Sequence, residues 1–271
     1  MNVFMPDYKY VIHPNKGIQL TLDENLDKFN VDLLNIGDLQ APSEPSEVLA
    51  VVFDLEGFTD FTRQVDPQLA IPNFISEFFS WLFTNIKECM IDKQQGNVLW
   101  AELPFFSKFT GDGVLFLWKI DMKKIIGIDS KLSSKKLQDH LQRFLCNIVA
   151  SLYNFCKRYP VFLKSIKGRY VDPPRQLRCG IARGNVFPIG AGKDYVGPCI
   201  NIASRLQKFN GLSFVFSARG IDKRGFNIDF EEVFVEKQVG IRGIGTHELV
   251  YVVKDEFAGL PEELKANFYE V

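Results

Sequence analysis

The sequence lacks several patterns that would assign it to common classes of protein. It has no apolar run long enough to cross a membrane, and its N-terminus does not show the basic, apolar and cleavage regions of a signal peptide. Its 271 residues carry a formal net charge of −1, with both signs mixed along the chain. Such a balance does not favour nucleic acid or an anionic membrane as a partner. We therefore expect a cytoplasmic, globular protein.

Cysteine and histidine are also sparse. The five cysteines form no CxxC pair, and the three histidines are scattered with no HExxH, GxSxG or P-loop motif nearby. These absences disfavour a disulfide framework, a zinc site and a Ser-His-Asp hydrolase. We expect the cysteines to be reduced thiols in the core.

The periodicity of apolar residues predicts an α+β protein. Residues 41–47 (APSEPSE) are typical of a linker, so residues 1–45 form an N-terminal extension. After the linker we predict, in chain order, a strand at 48–54, a helix at 69–86, a hairpin around 111–113, a helix at 137–155, a hairpin around Arg183-Gly184, a helix at 200–208 and strands at 213–217 and 247–253. This order indicates helices on one face of a mainly antiparallel sheet, as in a ferredoxin-like palm.

Two aspartates stand at the ends of neighbouring predicted strands. Asp54 ends the first strand, and Asp112 lies at the tip of the first hairpin. If the strands are adjacent, both carboxylates meet at one edge of the sheet, where they could hold Mg²⁺ or Mn²⁺ together with substrate phosphates. An aspartate in a turn is more often a turn former or a cap, so neither residue alone establishes a site.

Three further features suit a phosphate ligand. Gly57 allows close backbone approach in the turn after Asp54. Asn201 and Arg205 are four residues apart on a predicted helix and so share a face, where an amide and a guanidinium could bind ribose and phosphate. Arg242 precedes Gly243 just before the final strand. Taken singly, these features equally fit a simple turn, a solvated helix face and a surface cation.

Five segments, in this order, resemble the motifs of class III adenylate and guanylate cyclases. They are residues 52–59 (VFDLEGFT), 108–113 (KFTGDG), 180–186 (GIARGNV), 194–206 (DYVGPCINIASRL) and 242–243 (RG, where the family usually has KG). Together they cover about residues 46–255, which the resemblance makes the catalytic domain, with residues 256–271 as a C-terminal tail.

The resemblance implies a role for each matching residue. Asp54, Asp112 and the Leu55 carbonyl would bind two divalent ions, Mn²⁺ or Mg²⁺. Asn201 would orient the ribose, and Arg205 would stabilise the charge that develops during phosphoryl transfer. The remaining roles are base reading by Lys108 and Asp194, and phosphate binding by Gly57, Phe58, Thr59 and Arg242. Family membership also implies a head-to-tail homodimer with two sites between the subunits.

One donor, Lys108, and one acceptor, Asp194, do not determine which nucleotide base the site binds. Adenine and cytosine both present an acceptor beside an amino donor, while uracil fits the same pair with the roles exchanged. Residues 55–67 (LEGFTDFTRQVDP) resemble stand-alone pyrimidine cyclases of bacterial anti-phage (Pycsar) systems. The expected product is then cUMP or cCMP, a second messenger for a separate effector protein in antiviral defence. The alternatives are a soluble adenylate cyclase that makes cAMP, an inactive cyclase-like nucleotide-sensing module, and a nucleotidyltransferase or polymerase palm.

Overall fold

A computed structural model of the chain describes residues 10–15, 17–20, 31–94, 98–121 and 133–270. Its contacts divide the chain into two units. The smaller unit is Met1–Pro45 with Phe187–Val196, and the larger is Ser46–Val186 with Gly197–Val271. None of the helices in the described ranges is both long and apolar enough to pass through a membrane. The five cysteines are free thiols, as predicted.

The strands and helices are numbered here in chain order. The strands are β1 (Tyr10–His13), β2 (Gly17–Leu20), β3 (Ser46–Glu56), β4 (Ile91–Asp92), β5 (Val98–Leu99), β6 (Phe106–Phe109), β7 (Gly113–Lys119), β8 (Gln176–Ile189), β9 (Asp194–Val196), β10 (Phe214–Ser217), β11 (Phe234–Ile241), β12 (Gly245–Val253) and β13 (Phe268–Tyr269). The α-helices are α1 (Phe58–Phe61), α2 (Pro67–Cys89), α3 (Ser134–Cys156), α4 (Tyr159–Ser165), α5 (Pro198–Leu206), α6 (Phe230–Val233), α7 (Lys254–Ala258) and α8 (Glu262–Lys265). Short 3₁₀ turns occupy Val31–Leu34 and Lys223–Gly225.

The larger unit is built on a mainly antiparallel sheet, as the sequence predicts. Its strand order is β13-β11-β12-β10-β8-β3-β7-β6, and the parallel pair in this order is β10 with β8. The central strand β3 is buried from Val48 to Leu55 and pairs antiparallel with β7 and β8. This register places Asp54 opposite Gly113 on one side and Arg178 on the other.

Helices cover both faces of the sheet, so the prediction of helices on one face is wrong. Alternate residues of β3, such as Val51 and Phe53, pack in the aromatic-rich core with α2 and α3. The other residues of β3, such as Ala50 and Val52, face the opposite side, where α5 packs on β3 and β10. The sequence alone does not show which face of the sheet α5 covers, because α5 is short and closely follows the segment 180–186 that was predicted as a hairpin.

The hairpin predicted around Arg183-Gly184 is also wrong, because β8 runs through both residues without a turn. Arg183 forms an ion pair with Glu47 at 2.7 Å. A Cβ on Gly184 would lie 3.1 Å from the Cys199 Cβ, so the glycine serves the close approach of α5. The Arg-Gly pair therefore reflects helix packing and does not mark a turn.

The core of the larger unit is rich in phenylalanine, in line with the 25 copies in the sequence. Phe53 packs edge-on against Phe155, and Trp81 stacks on the same ring at 4.9 Å between centroids. Each buried aromatic contributes about 1.5–3 kcal/mol through loss of contact with water. This core fixes α2 and α3 on one face and leaves the other face for α5.

We predict that Gly180→Ala weakens the packing of α5 on the sheet. A Cβ at Gly180 would lie 2.1 Å from the Ala203 carbonyl oxygen, a contact that forces helix and sheet apart. The free energy of unfolding, measured by chemical denaturation, should fall by about 1–3 kcal/mol. Gly245→Ala is the control, because no atom lies within 4 Å of its added Cβ. Equal losses in the two variants would contradict this packing.

Candidate active site

Asp54 and Asp112 lie beside each other at one end of the neighbouring strands β3 and β7. Asp54 is 8 % exposed in β3, and Asp112 is half-buried in the turn before β7. Burial raises the pKa of Asp112, and the charge of Asp54 and a hydrogen bond between the two side chains raise it further. The close pairing of β3 with β7 requires Gly113, since a Cβ there would lie 2.2 Å from the Phe53 carbonyl oxygen. The fold therefore holds two carboxyl groups together against their mutual repulsion.

Arg178 is the positively charged partner of this pair, and sequence reasoning missed it. Its guanidinium forms an ion pair with Asp54, and both side chains are largely buried, at 15 % and 11 % exposure. The Arg178 Nε is buried without a hydrogen-bond partner in the described part of the chain. Nothing local marks Arg178 in the sequence, because it meets Asp54 only through the long-range register of β8 with β3.

The carboxylate pair fits a site for Mg²⁺ or Mn²⁺. These ions commonly bind through one or two carboxylates and complete their shell with water and substrate phosphates. A bound cation would relieve the repulsion that raises the pKa of Asp112. Leu55 buries its side chain in the core, which leaves its backbone carbonyl as its contribution to such a site. No cluster of three or more metal-ligating side chains occurs among the described residues.

The turn after β3 carries backbone amides that follow Asp54 by only three to five residues in the sequence. Gly57 adopts a left-handed conformation with φ of 86°, which favours glycine, and precedes the single turn of α1. The Gly57 carbonyl accepts a hydrogen bond from the Phe61 N–H at 3.0 Å. Within one helical turn the amides of Phe58 and Thr59 have no intrahelical acceptor. These two amides are among the donors that the resemblance to class III cyclases implies for phosphate binding.

Asn201 and Arg205 are both exposed on α5, on the same side of the helix. The opposite side buries a set of small and aliphatic residues against the sheet: Cys199, Ile202, Ala203 and Leu206. No hydrogen bond or ion pair of the described residues links Asn201 or Arg205 to Asp54 or Asp112. Among the described residues, the structure therefore presents this pair to solvent without a direct bond to either carboxylate.

The two predicted base-reading residues lie in different units. Lys108 is exposed in β6, opposite Leu115 of β7. Asp194 begins β9 in the smaller unit, where its carboxylate accepts a hydrogen bond from the Tyr195 N–H at 2.8 Å. Phe109 packs edge-on against Phe79 of α2, on the face of β6 opposite to Lys108. Phe109 therefore does not share a face of β6 with Lys108.

Arg242 lies in the tight turn between β11 and β12. Its side chain is exposed, and Gly243 next to it has φ of 81°. This left-handed glycine lets the two strands reverse direction directly beside the guanidinium. The position suits a contact with an incoming anion.

The comparison of folds agrees with the arrangement of strands and helices. No protein-family model matches the chain, and no curated protein matches it. Among solved structures, the adenylyl cyclase CyaB from P. aeruginosa is 16 % identical over 78 % of this chain and 95 % of its own, with a TM-score of 0.50. An adenylate/guanylate cyclase/hydrolase from Silicibacter pomeroyi is 13 % identical over 78 % of this chain and 99 % of its own, with a TM-score of 0.46. The structural neighbours are thus adenylyl and guanylyl cyclase catalytic domains, and the first of these likenesses shows the same palm fold.

We predict that Arg178→Met destabilises the metal-free protein by about 3–5 kcal/mol, because Asp54 loses its buried counter-charge. Added Mn²⁺ should then raise the melting temperature of this variant more than that of the wild type, since a cation replaces the missing guanidinium. Thermal unfolding with and without Mn²⁺ measures both effects.

Arg169→Met is the matched control for this prediction. It removes a half-exposed arginine that pairs with Glu77 on the surface, so its cost should stay below about 1 kcal/mol and should not respond to Mn²⁺. An Arg178→Met protein that is as stable as the wild type and indifferent to Mn²⁺ would contradict the charge balance described here.

Proposed function

We propose that this chain is a nucleotide cyclase, which converts a nucleoside triphosphate into a 3′,5′-cyclic monophosphate and pyrophosphate. The observation that carries the proposal is the convergence of two aspartates: Asp54 pairs with Gly113 across β3 and β7, so Asp112, in the turn just before Gly113, lies beside it. Two neighbouring carboxylates repel each other, which disfavours the charged form of each unless a cation lies nearby. A cation bound between Asp54 and Asp112 would offset this repulsion, which gives the pair a physical reason to be there.

In this proposal Asp54, Asp112 and the Leu55 carbonyl hold two divalent ions, Mn²⁺ or Mg²⁺. Bound there, the ions supply Lewis-acid stabilisation of the attacking 3′-oxygen and of the leaving oxygen of pyrophosphate. Arg178 pairs with Asp54 and holds its carboxylate in place before the ions bind. The Arg178 Nε is buried without a hydrogen-bond partner among the described residues, and we assign it a phosphate oxygen of the bound substrate as acceptor.

Other residues bind and orient the substrate. The amides of Gly57, Phe58 and Thr59 donate to phosphate oxygens, and Arg242 adds a positive charge. Asn201 holds the ribose so that its 3′-oxygen faces the α-phosphorus. Arg205 stabilises the negative charge that grows on the phosphoryl group during transfer.

A homodimer would explain why Asn201 and Arg205 are exposed and make no direct bond to the carboxylates among the described residues. In this proposal each chain contributes its carboxylates to one site and its α5 side chains to another. A head-to-tail pair would bring α5 of one copy to the carboxylates of its partner and create two equivalent sites. The exposure of both α5 side chains supports this proposal.

For the base, we propose that Lys108 donates and Asp194 accepts, and that the substrate is UTP or CTP. The similarity of residues 55–67 to stand-alone pyrimidine cyclases supports this choice, and it implies that cUMP or cCMP signals to a separate effector in antiviral defence. Adenine presents the same acceptor and amino donor as cytosine, so ATP is the second candidate.

We predict that the purified protein with Mn²⁺ and an equimolar mixture of ATP, GTP, CTP and UTP forms one cyclic pyrimidine nucleotide, detected by mass spectrometry. Asp54→Asn should lower the rate at least 100-fold, because the ions lose a ligand. Asp92→Asn, which alters a carboxylate in a surface turn, should leave the rate unchanged. Exclusive formation of cAMP would keep the chemistry and overturn the pyrimidine assignment, and no product from any nucleotide would overturn the cyclase.

We also predict that two inactive variants restore each other. Asp54→Asn and Arg205→Ala damage different halves of the site, so a mixed dimer keeps one intact site of two. After random exchange of subunits, about a quarter of the wild-type activity should return, since half of the dimers are mixed. The double variant Asp54→Asn/Arg205→Ala should rescue neither single variant. Absence of recovery in dimers that exchange would contradict a shared site.

A further inference from the structure

We propose that the N-terminal segment around Ile36 positions the turn that carries Asp194, and thereby determines which base the site accepts. This inference rests on the proposed function, in which Asp194 reads the base. It gives residues 31–45 a role in specificity. Everything that carries it lies within the smaller unit.

The turn between β8 and β9 has an unusual backbone. Gly190, Ala191 and Gly192 are consecutive and all have positive φ, at 57°, 57° and 87°. The turn is closed by hydrogen bonds from Gly192 N–H to the Ile189 carbonyl at 3.2 Å and from Lys193 N–H to the Gly190 carbonyl at 3.3 Å. A non-glycine residue in this region costs of order 1–3 kcal/mol and persists only where its surroundings hold it.

The N-terminal segment supplies those surroundings. A Cβ on Gly190 would lie 1.2 Å from the Ile36 carbonyl oxygen, so the two backbones are in direct contact and no side chain fits between them. A Cβ on Gly37 would lie 3.6 Å from both Cδ and Nζ of Lys193. Gly190 is buried although it sits in a hairpin turn. The segment therefore packs on the turn, backbone against backbone.

The position of this β8–β9 turn determines where Asp194 lies. Asp194 follows Gly192 by two residues and pairs with Ile189 across the hairpin. Its carboxylate accepts the Tyr195 N–H at 2.8 Å, so the side chain is tied to the backbone of β9. A shift of the turn would move this acceptor with it. Shifts of about 1 Å at a positioning group are known to cost about 100-fold in rate.

An acceptor in a fixed place discriminates bases through hydrogen bonds. A site built to bond one polar edge rejects a base that leaves the acceptor without a donor. If the turn loosens, Asp194 can adjust to several bases, and selectivity falls before affinity for the triphosphate is lost. Gly190 and Ile36 are thus positioning residues, acting on the base through Asp194.

The test is Gly190→Ala, which places a methyl group on the Ile36 carbonyl. Gly17→Ala is the matched control, since Gly17 has a similar φ of 73° in the same unit but no atom within 4 Å of its added Cβ. Gly37→Val is a second variant that disturbs the contact from the other side, because a β-branched residue does not tolerate φ of 77°. The probes are the four 3′-deoxynucleoside triphosphates with Mn²⁺, whose dissociation constants need no turnover.

We expect the ratio of dissociation constants between the preferred base and the others to fall at least about tenfold in Gly190→Ala and Gly37→Val, but not in Gly17→Ala. Hydrogen exchange at residues 31–41 should speed up in the same two variants. Unchanged base selectivity in a variant whose exchange shows the segment displaced would overturn the inference, as would full protection of the segment in Gly190→Ala. A wild-type protein that binds no nucleoside triphosphate would contradict the proposed function itself.

Discussion

The repulsion between two adjacent carboxyl groups is the constraint on which the rest of the site depends. Asp54 and Asp112 are forced together because β3 and β7 pair closely, and Gly113 removes the side chain that would separate them. Arg178 reaches the same point from β8 and balances one of the charges. A single central strand thus fixes all three groups, and the aromatic core behind it supplies the rigidity that holds them.

The two faces of the sheet differ in what packs on them. One face is filled by α2, α3 and the aromatic core, which hold most of the buried apolar residues. The other face carries α5, and α5 exposes Asn201 and Arg205 to solvent. A well-packed face with α2 and α3, together with exposed polar side chains on α5, fits a site that is shared between two copies of the chain. The physical division of the sheet and the proposed dimer are therefore parts of one explanation.

Local patterns predicted the elements well where the signal is local. The helices predicted at 69–86, 137–155 and 200–208 are α2, α3 and α5, and the Asp-Gly pair at residues 112–113 does join two strands. Features set by long-range pairing were out of reach. Arg178 meets Asp54 only through the register of β8, and the glycine of the Arg-Gly pair in β8 reflects a helix that comes later in the chain. The contact of Ile36 with Gly190 likewise joins segments that no periodicity relates.

In the proposed cyclase, the carboxylate pair binds two divalent ions together with the substrate. Electron paramagnetic resonance of Mn²⁺ tests it directly when a 3′-deoxynucleoside triphosphate, which lacks the attacking hydroxyl, is bound. We predict two Mn²⁺ ions per site, close enough to be magnetically coupled at a spacing of about 3.5–4 Å, and loss of the coupled signal in Asp54→Asn. A wild-type protein that binds the nucleotide with isolated Mn²⁺ ions, or with the same spectrum as Asp54→Asn, would contradict it.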